Sequence, residues 1–348
     1  MTHDCQCQCH SGRRRLRIRF AEAGAVPEVV HTAAAKLGWE SVADGRSFDL
    51  EIGGGARFSS PAELAVYLRE IASEAFDGME ALWLDGEGQP AEPLSKNLAG
   101  YDANPLYALL EKRRLATWFQ PVFDRDLRVW GYECLVRAHD EAGGLITPDR
   151  LIGWARDENL LFYFDRICRE THVANAAAAK APEDARFLIN FLPTTIYEPT
   201  VCLRTTLKAV DRAGLAKERV IFEVVESEKI EDAAHLRRIL DHYRASGFGV
   251  ALDDLGTGHS GLFLLAELEP DLIKLDRELV ARVADSRIHR SICRSIIDLG
   301  REEGKLVLAE GIETGEQYAM LHELGADLFQ GFYLGRPAAK PALSALID

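Results

Sequence analysis

From residue 115 onward the chain repeats one pattern: a short apolar strand, a polar residue at its end, then an amphipathic helical stretch. FQPVF and VWGYECLVRA come first, and FLINF, VIFEVV, GVALDD, DLIKLD, KLVLAEG and LFQGFY follow. Segments such as AAHLRRILDHYRASG and HRSICRSIIDLGREEG lie between them, with apolar residues at helical spacing. Strands that are apolar on both faces belong in a parallel sheet with helices over it. About eight of them in roughly 230 residues favour a TIM-like (β/α)8 barrel over an open sheet, an α/β class that the pattern leaves unclosed.

The stretch before this repeat reads differently. Residues 13–85 predict a small α+β domain, with strands at LRIRF, SFDLEI and MEALWL. PEVVHTAAAKLG predicts a helix with Pro27 in its first turn and Gly38 as its stop. Ser60-Pro61-Ala62-Glu63 forms a capping box for the helix AELAVYLREIASEAF. Residues 86–114 are then a linker rich in Gly, Pro and Asn, closed by the lead-in helix PLYALLEKRR, and the barrel domain occupies 115–348.

Charge excludes one class of partner. The net charge is −14, and the acid is spread over the chain: 15 acidic against 10 basic residues in 1–100, then 40 against 31. Coating a polymeric nucleic acid needs a basic surface that releases counterions, so none is expected. An acidic protein that holds a phosphate ligand needs a local cation: bound metal, Lys or Arg. No run of about 18 apolar residues and no apolar leader core occurs, which predicts a cytoplasmic protein without membrane insertion. Seven scattered cysteines, an odd number, argue against a disulfide framework.

Most of the barrel strands end in a carboxylate, an amide or a Lys: Glu133, Asn190, Glu223, Asp253 with Asp254, Lys274, Glu310 and Gln330. One such acid usually caps a helix or faces water. Many of them converging on the C-terminal face of one barrel would repel each other unless cations intervene. The set is oxygen-rich, without His or Cys, which suits Mg²⁺ or Mn²⁺ better than Zn²⁺. Two such ions would clamp the attacking and leaving oxygens of a phosphodiester displacement.

These residues also carry a resemblance. Region 117–340 is similar to EAL domains in motif order. Phe119-Gln120-Pro121 resembles the first-strand motif, and Glu133-Cys134-Leu135-Val136-Arg137 resembles E-x-L-x-R, with Cys134 in place of Ala. Asn190, Glu223-Val-Val-Glu226, Asp253-Asp254-Leu255-Gly256-Thr257-Gly258, Ile273-Lys274-Leu275-Asp276, Ala309-Glu310-Gly311-Ile312-Glu313-Thr314 and Gln330-Gly331-Phe332-Tyr333 follow in order. The literal tripeptide Glu80-Ala81-Leu82 lies in the first domain with no Arg two positions later, and reads as an ordinary exposed strand.

The resemblance implies a metal-dependent phosphodiesterase that opens cyclic di-GMP to linear pGpG, working as a homodimer through the EAL domain. Its alternative is a silent cyclic di-GMP receptor. By the same resemblance Glu133, Asn190, Glu223, Asp253, Asp254 and Glu310 would hold two cations. Asp253 and Lys274 would orient the water, with Glu310 completing the catalytic group. Gln120, Leu135, Arg137, Asp276 and Gln330 would meet the substrate, and Glu226, Glu313 and Thr257 would support the loops. Leu255 stands where the family has Phe, and His259-Ser260-Gly261 where it has Tyr-Ser-Ser, in the loop that couples metal site to dimer interface.

The N-terminus adds Cys5, Cys7, Cys9 and His10 in residues 1–12, followed by Arg13-Arg14-Arg15. Three thiols and an imidazole are a candidate site for a thiophilic metal, although the spacing is not that of structured zinc sites. The 13–85 domain lacks a Gly-rich phosphate loop, and a sensory or regulatory role is expected of it.

Overall fold

The structure is a computed structural model that describes residues 14–20, 26–37, 39–42, 46–52, 61–76, 79–84, 92–95, 104–140, 142–158, 160–196, 199–224, 233–255 and 261–346. The chain divides into two units, one of residues 1–108 with 154–163, the other of 109–153 with 164–348.

In the first unit, β1 (Arg14–Phe20), β2 (Glu40–Ser41), β3 (Ser47–Ile52), β4 (Met79–Trp83) and β5 (Glu92–Pro93) form one sheet in the order β2-β3-β1-β4-β5. Alternation sorts the faces. Leu16, Ile18 and Phe20 are buried, as are Phe48 and Leu50 of β3. Helices Glu28–Leu37 and Pro61–Ile71 add Val30, Ala33, Leu64 and Leu68 to the core. The other face carries pairs: Arg17 donates from Nε and Nη2 to the two oxygens of Asp49 at 2.6 and 2.9 Å. Arg19 Nε donates to Glu80 at 3.0 Å. β5 lies within the stretch read as a linker and pairs antiparallel with β4. The predicted caps Ser60 and Gly38 lie outside the described residues.

The second unit is a closed barrel. Its strands are β6 (Leu115–Asp124), β7 (Val129–His139), β9 (Arg186–Phe191), β10 (Val220–Val224), β11 (Gly249–Leu255), β12 (Leu272–Leu275), β13 (Leu306–Ala309) and β14 (Leu328–Phe329), with β8 (Leu145–Ile146) paired to β7. Each strand bonds to the next around the ring, and β6 pairs with both β14 and β7, which closes it. β6 runs antiparallel to its neighbours, while β7 and the later strands run parallel to one another. The expected TIM-like barrel, preceded by a small α+β domain, is therefore the fold.

One register places the candidate site. Val122, Leu188, Ile221, Ala251, Leu272, Leu308 and Leu328 form a single buried apolar layer, one from each of seven strands. Side chains alternate, so the next residue on the same face lies two positions along. Those positions are Asn190, Glu223, Asp253, Lys274, Glu310 and Gln330, and in the reversed β6 they give Gln120. In β7 the residue two before Glu133 is Gly131, which adds no side chain to the layer. A greasy ring thus supports a polar ring one step above it. Burying each Leu or Ile of the lower ring stabilises the barrel by roughly 1.5–3 kcal/mol.

Helix ends close the frame. Asp276 caps helix Arg277–Ala281 by accepting the Glu278 N–H at 2.6 Å. Thr314 and Gln317 form a reciprocal capping box at the start of helix Gly315–Leu324. Gly331 lets the backbone after Gln330 run against Ile312, where a Cβ would collide with main chain. Among the described residues, no helix is long and apolar enough to cross a membrane.

Candidate active site

The upper ring contains two subsets of charged residues. Glu133 is held by neutral donors: Asn190 Nδ2 donates to its Oε1 at 3.2 Å, and Gln330 Nε2 to its Oε2 at 3.0 Å. Gln120 stands directly across from it in the β6–β7 register. On the other side of the ring, the Lys274 ammonium meets Glu223 Oε1 at 3.0 Å, Asp253 Oδ1 at 3.0 Å and Glu310 Oε1 at 2.7 Å. Lys274 and Glu223 are fully buried.

One ammonium among four carboxylates leaves the ring with excess negative charge. Burial pushes the Glu223 carboxyl well above the ordinary range; Lys274 opposes this, and Glu133 and Asp253 add to it. Glu310 is raised in the same way, by burial first. Burial works against the charge of Lys274, but Asp253, Glu223, Glu310 and Glu133 outweigh it and keep the ammonium charged. Buried oxygens remain unused as well. Among the described residues, Glu223 Oε2 and Asn190 Oδ1 accept no hydrogen bond, and Glu223 Oε1 touches Lys274 without hydrogen-bond geometry. Buried acceptors are nearly always satisfied, so orphans in a polar ring call for a ligand.

The donor set fits hard divalent cations. It is made of oxygen, it is short of positive charge, and its free acceptors point into one ring. Among the described residues, no three acidic, imidazole or thiol groups already stand around one point at ligand spacing. The place where Glu223, Asp253 and Glu310 converge is held by Lys274 Nζ.

The remaining expected residues fall into three groups. Leu135 and Arg137 extend the Glu133 face of β7 outward, both half-buried. Asp276 is buried as a helix cap, and the Glu313 N–H donates to Gln317 Oε1 at 2.8 Å while its side chain is exposed. Asp254 lies on β11 with its side chain outside the described set; Glu226, Thr257 and Cys5, Cys7, Cys9 and His10 lie outside the described residues altogether.

Two features were missed from sequence. Asp165, on helix Leu161–Ala178, accepts from Leu192 N–H at 2.9 Å, Thr195 Oγ1 at 2.9 Å and Arg169 Nε at 3.0 Å. It therefore pins the chain as it leaves β9, two residues after Asn190. Arg169, fully buried, reaches Thr206 on helix Arg204–Ala213. The only signal was an acid and a base four apart on a helix, which ordinarily marks a solvated pair. The second is Trp118, whose ring lies under the Arg137 guanidinium. A half-buried aromatic on an alternating strand carries no signal of its own.

A family profile described as EAL domain matches residues 103–337. The chain belongs to the EAL domain family. The probable cyclic di-GMP phosphodiesterase PdeA of Escherichia coli is 28% identical over 235 residues, which are 67% of this chain and 32% of PdeA. The bifunctional diguanylate cyclase/cyclic di-GMP phosphodiesterase MucR of Pseudomonas aeruginosa is 31% identical over 244 residues, 68% of this chain and 35% of MucR. The chain thus spans about a third of the length of these relatives. A standalone EAL protein from Vibrio cholerae, solved with cyclic di-GMP bound, superposes with a TM-score of 0.59 at 33% identity. That match covers 66% of this chain and 95% of the Vibrio protein.

Proposed function

We propose that this EAL domain hydrolyses cyclic di-GMP to linear pGpG with the help of two divalent cations, Mg²⁺ or Mn²⁺. The observation that carries the reading is the polar ring: Glu133, Asn190, Glu223, Asp253 and Glu310 supply oxygen donors from the barrel strands, and among the described residues Lys274 is the cation that meets them. The named activities of the E. coli and Pseudomonas relatives and the ligand of the Vibrio protein support the same substrate.

Glu133, Asn190, Glu223, Asp253, Asp254 and Glu310 would hold the cations. When bound, these would polarise the phosphodiester and activate water. The rest of the work falls to the chain. Asp253 and Lys274, 3.0 Å apart, orient the water, and the Asp253 carboxylate receives its proton as its oxygen adds to phosphorus, the Lys274 ammonium being protonated already. Glu310, 2.7 Å from the ammonium, keeps Lys274 directed into the ring. The P–O3′ ester then breaks, and the 3′-oxygen leaves with a proton, which completes the addition of water. Gln120, Leu135, Arg137, Asp276 and Gln330 bind and align the dinucleotide, and Glu226, Glu313 and Thr257 support the loops that carry the ligands.

The 13–85 domain regulates this activity, and the EAL domain pairs with a second copy. Exposed apolar side chains support that pairing: Phe263, which follows the Leu255–Gly261 loop, and Ile288 and Ile292, one turn apart on helix Arg287–Glu302. The deciding experiment is hydrolysis of cyclic di-GMP by the purified chain with Mg²⁺ or Mn²⁺, beside a binding titration in Ca²⁺ or EDTA. Metal-dependent pGpG supports the enzyme. Tight binding without cleavage makes the protein a receptor and turns attention to the Leu255–Gly261 loop.

A further inference from the structure

The outward half of the β6–β7 hairpin carries a built feature that the hydrolytic ring does not use. Three cross-strand pairs share the face of Glu133: Gln120 with Glu133, Trp118 with Leu135, and Ala116 with Arg137. Ala116 is small, so the Arg137 side chain has room to fold back along the diagonal. It does so: its guanidinium carbon lies 5.3 Å from the centre of the Trp118 ring, within cation–π range. Arg137 Nη1 also donates to the Val136 carbonyl at 2.8 Å, which fixes the head group from a second side. Trp118 and Leu135 stand two residues beyond the Glu133 level, and Arg137 four, or about 7 and 13 Å along a strand. That is too far to touch the phosphorus reacting at the ring. It is the reach of a nucleoside attached to that phosphorus.

We propose that Trp118 positions Arg137 as a cationic shelf that stacks a purine base of the substrate, so that this pair sets base affinity while the ring performs the chemistry. The inference rests on cyclic di-GMP being the substrate. The guanidinium carbon lies over the indole ring of a half-buried pair, and guanidinium groups stack on planar rings, as bases do on aromatic platforms. Trp118 acts through Arg137, so it is a positioning residue.

The test is a double-mutant cycle on the full chain with Mn²⁺. It compares Trp118→Ala, Trp118→Phe, Arg137→Ala and the Trp118→Ala/Arg137→Ala double variant, each confirmed folded by circular dichroism. Trp118→Ala should raise KM for cyclic di-GMP about 3- to 30-fold, the loss falling in KM rather than kcat. Trp118→Phe should recover most of that loss, because the aromatic face survives. In the Arg137→Ala background, Trp118→Ala should cost nothing further. An unchanged KM in Trp118→Ala, a loss confined to kcat, or additive effects in the cycle would each overturn the proposal. Should the wild-type chain bind cyclic di-GMP without cleaving it, the hydrolytic reading fails by itself. The same cycle, read as Kd for cyclic di-GMP in Ca²⁺, then decides the shelf.

Discussion

Glu80 and Glu133 each sit on a β-strand, and each begins a Glu-x-Leu triplet, yet the protein treats their charges in opposite ways. Glu80, in the literal Glu-Ala-Leu of the N-terminal sheet, pairs one-to-one with Arg19 across the strands and needs nothing more. Glu133 receives only neutral amides, from Asn190 and Gln330, in a ring where four carboxylates share one ammonium. A carboxylate with its own cation is a finished structural contact. A set with too few cations is a site that expects more charge. The difference lies in the stoichiometry of the neighbourhood and cannot be read from the triplet itself.

The sharpest way to break this comparison is to delete each acid in turn. Glu133→Ala should reduce kcat/KM for cyclic di-GMP about 100-fold or more, because even the groups that merely orient metal ligands cost 10- to 100-fold. Circular dichroism should show the fold intact. Glu80→Ala should leave turnover where it was. Equal losses in the two variants would mean that charge stoichiometry does not mark the site.

A second contrast lies between β6 and helix Leu161–Ala178, where charge is managed by neutrality. His172 is buried, its Nδ1 2.7 Å from Thr117 Oγ1, which also accepts from Asn175 at 3.0 Å. Burial, helped by the charge of Arg137, pushes its pKa down to about 3. The sign follows directly. Unfolded, the imidazole titrates near 6.5; folded, it stays neutral until about pH 3. Its contribution is therefore fully present above pH 6.5 and is lost as pH falls toward 3. Urea melts between pH 4 and 7 should show stability falling with acid, and His172→Gln should flatten that slope. An unchanged slope would mean that the imidazole is already charged in the folded protein.

How much of this was legible depends on what kind of signal each residue leaves. The barrel was legible because six strands repeat the same step, an apolar residue and then a polar one two positions on, as in Leu188 and Asn190 or Leu308 and Glu310. Repetition turned individually weak signals into a fold and a ring. Closure was not legible, since it rests on β6 pairing with both β7 and β14, a long-range fact without local pattern. The two-residue strands β2, β5 and β8 lie outside that repeat and are too short to show a period. Asp165 and Arg169 look like a solvated helix pair until the turn after β9 and Thr206 close over them. Trp118 acquires meaning only from Arg137, nineteen positions away.

The site's charge deficit makes a quantitative claim of its own. Glu223 and Glu310 carry raised pKa values because burial and their acidic neighbours outweigh Lys274. A divalent cation must ionise them to bind, so binding should release protons and tighten as pH rises. Calorimetric titration with Mn²⁺ in buffers of different ionisation enthalpy measures that release directly. Lys274→Met, which removes the competing ammonium, should enlarge it, because both carboxyls then start more fully protonated. Proton uptake instead of release would mean that the carboxylates are already ionised without metal.

The smallest effect sharpens the other half of the comparison. The Arg19–Glu80 pair is exposed enough that solvent screens most of its attraction, with Arg19 about half exposed. A double-mutant cycle of Arg19→Ala and Glu80→Ala, read by denaturant melts, should give a coupling of about 0.2–1 kcal/mol. It should shrink in salt, since charges in contact with water are screened over about 10 Å at 0.1 M. In Arg17–Asp49 the carboxylate is nearly buried and the contact is two-pronged, so its coupling should be larger and less sensitive to salt. If the two pairs proved equal, pairing geometry and burial would not be what separates a structural ion pair from a surface one. The balanced half of the comparison would then need another explanation.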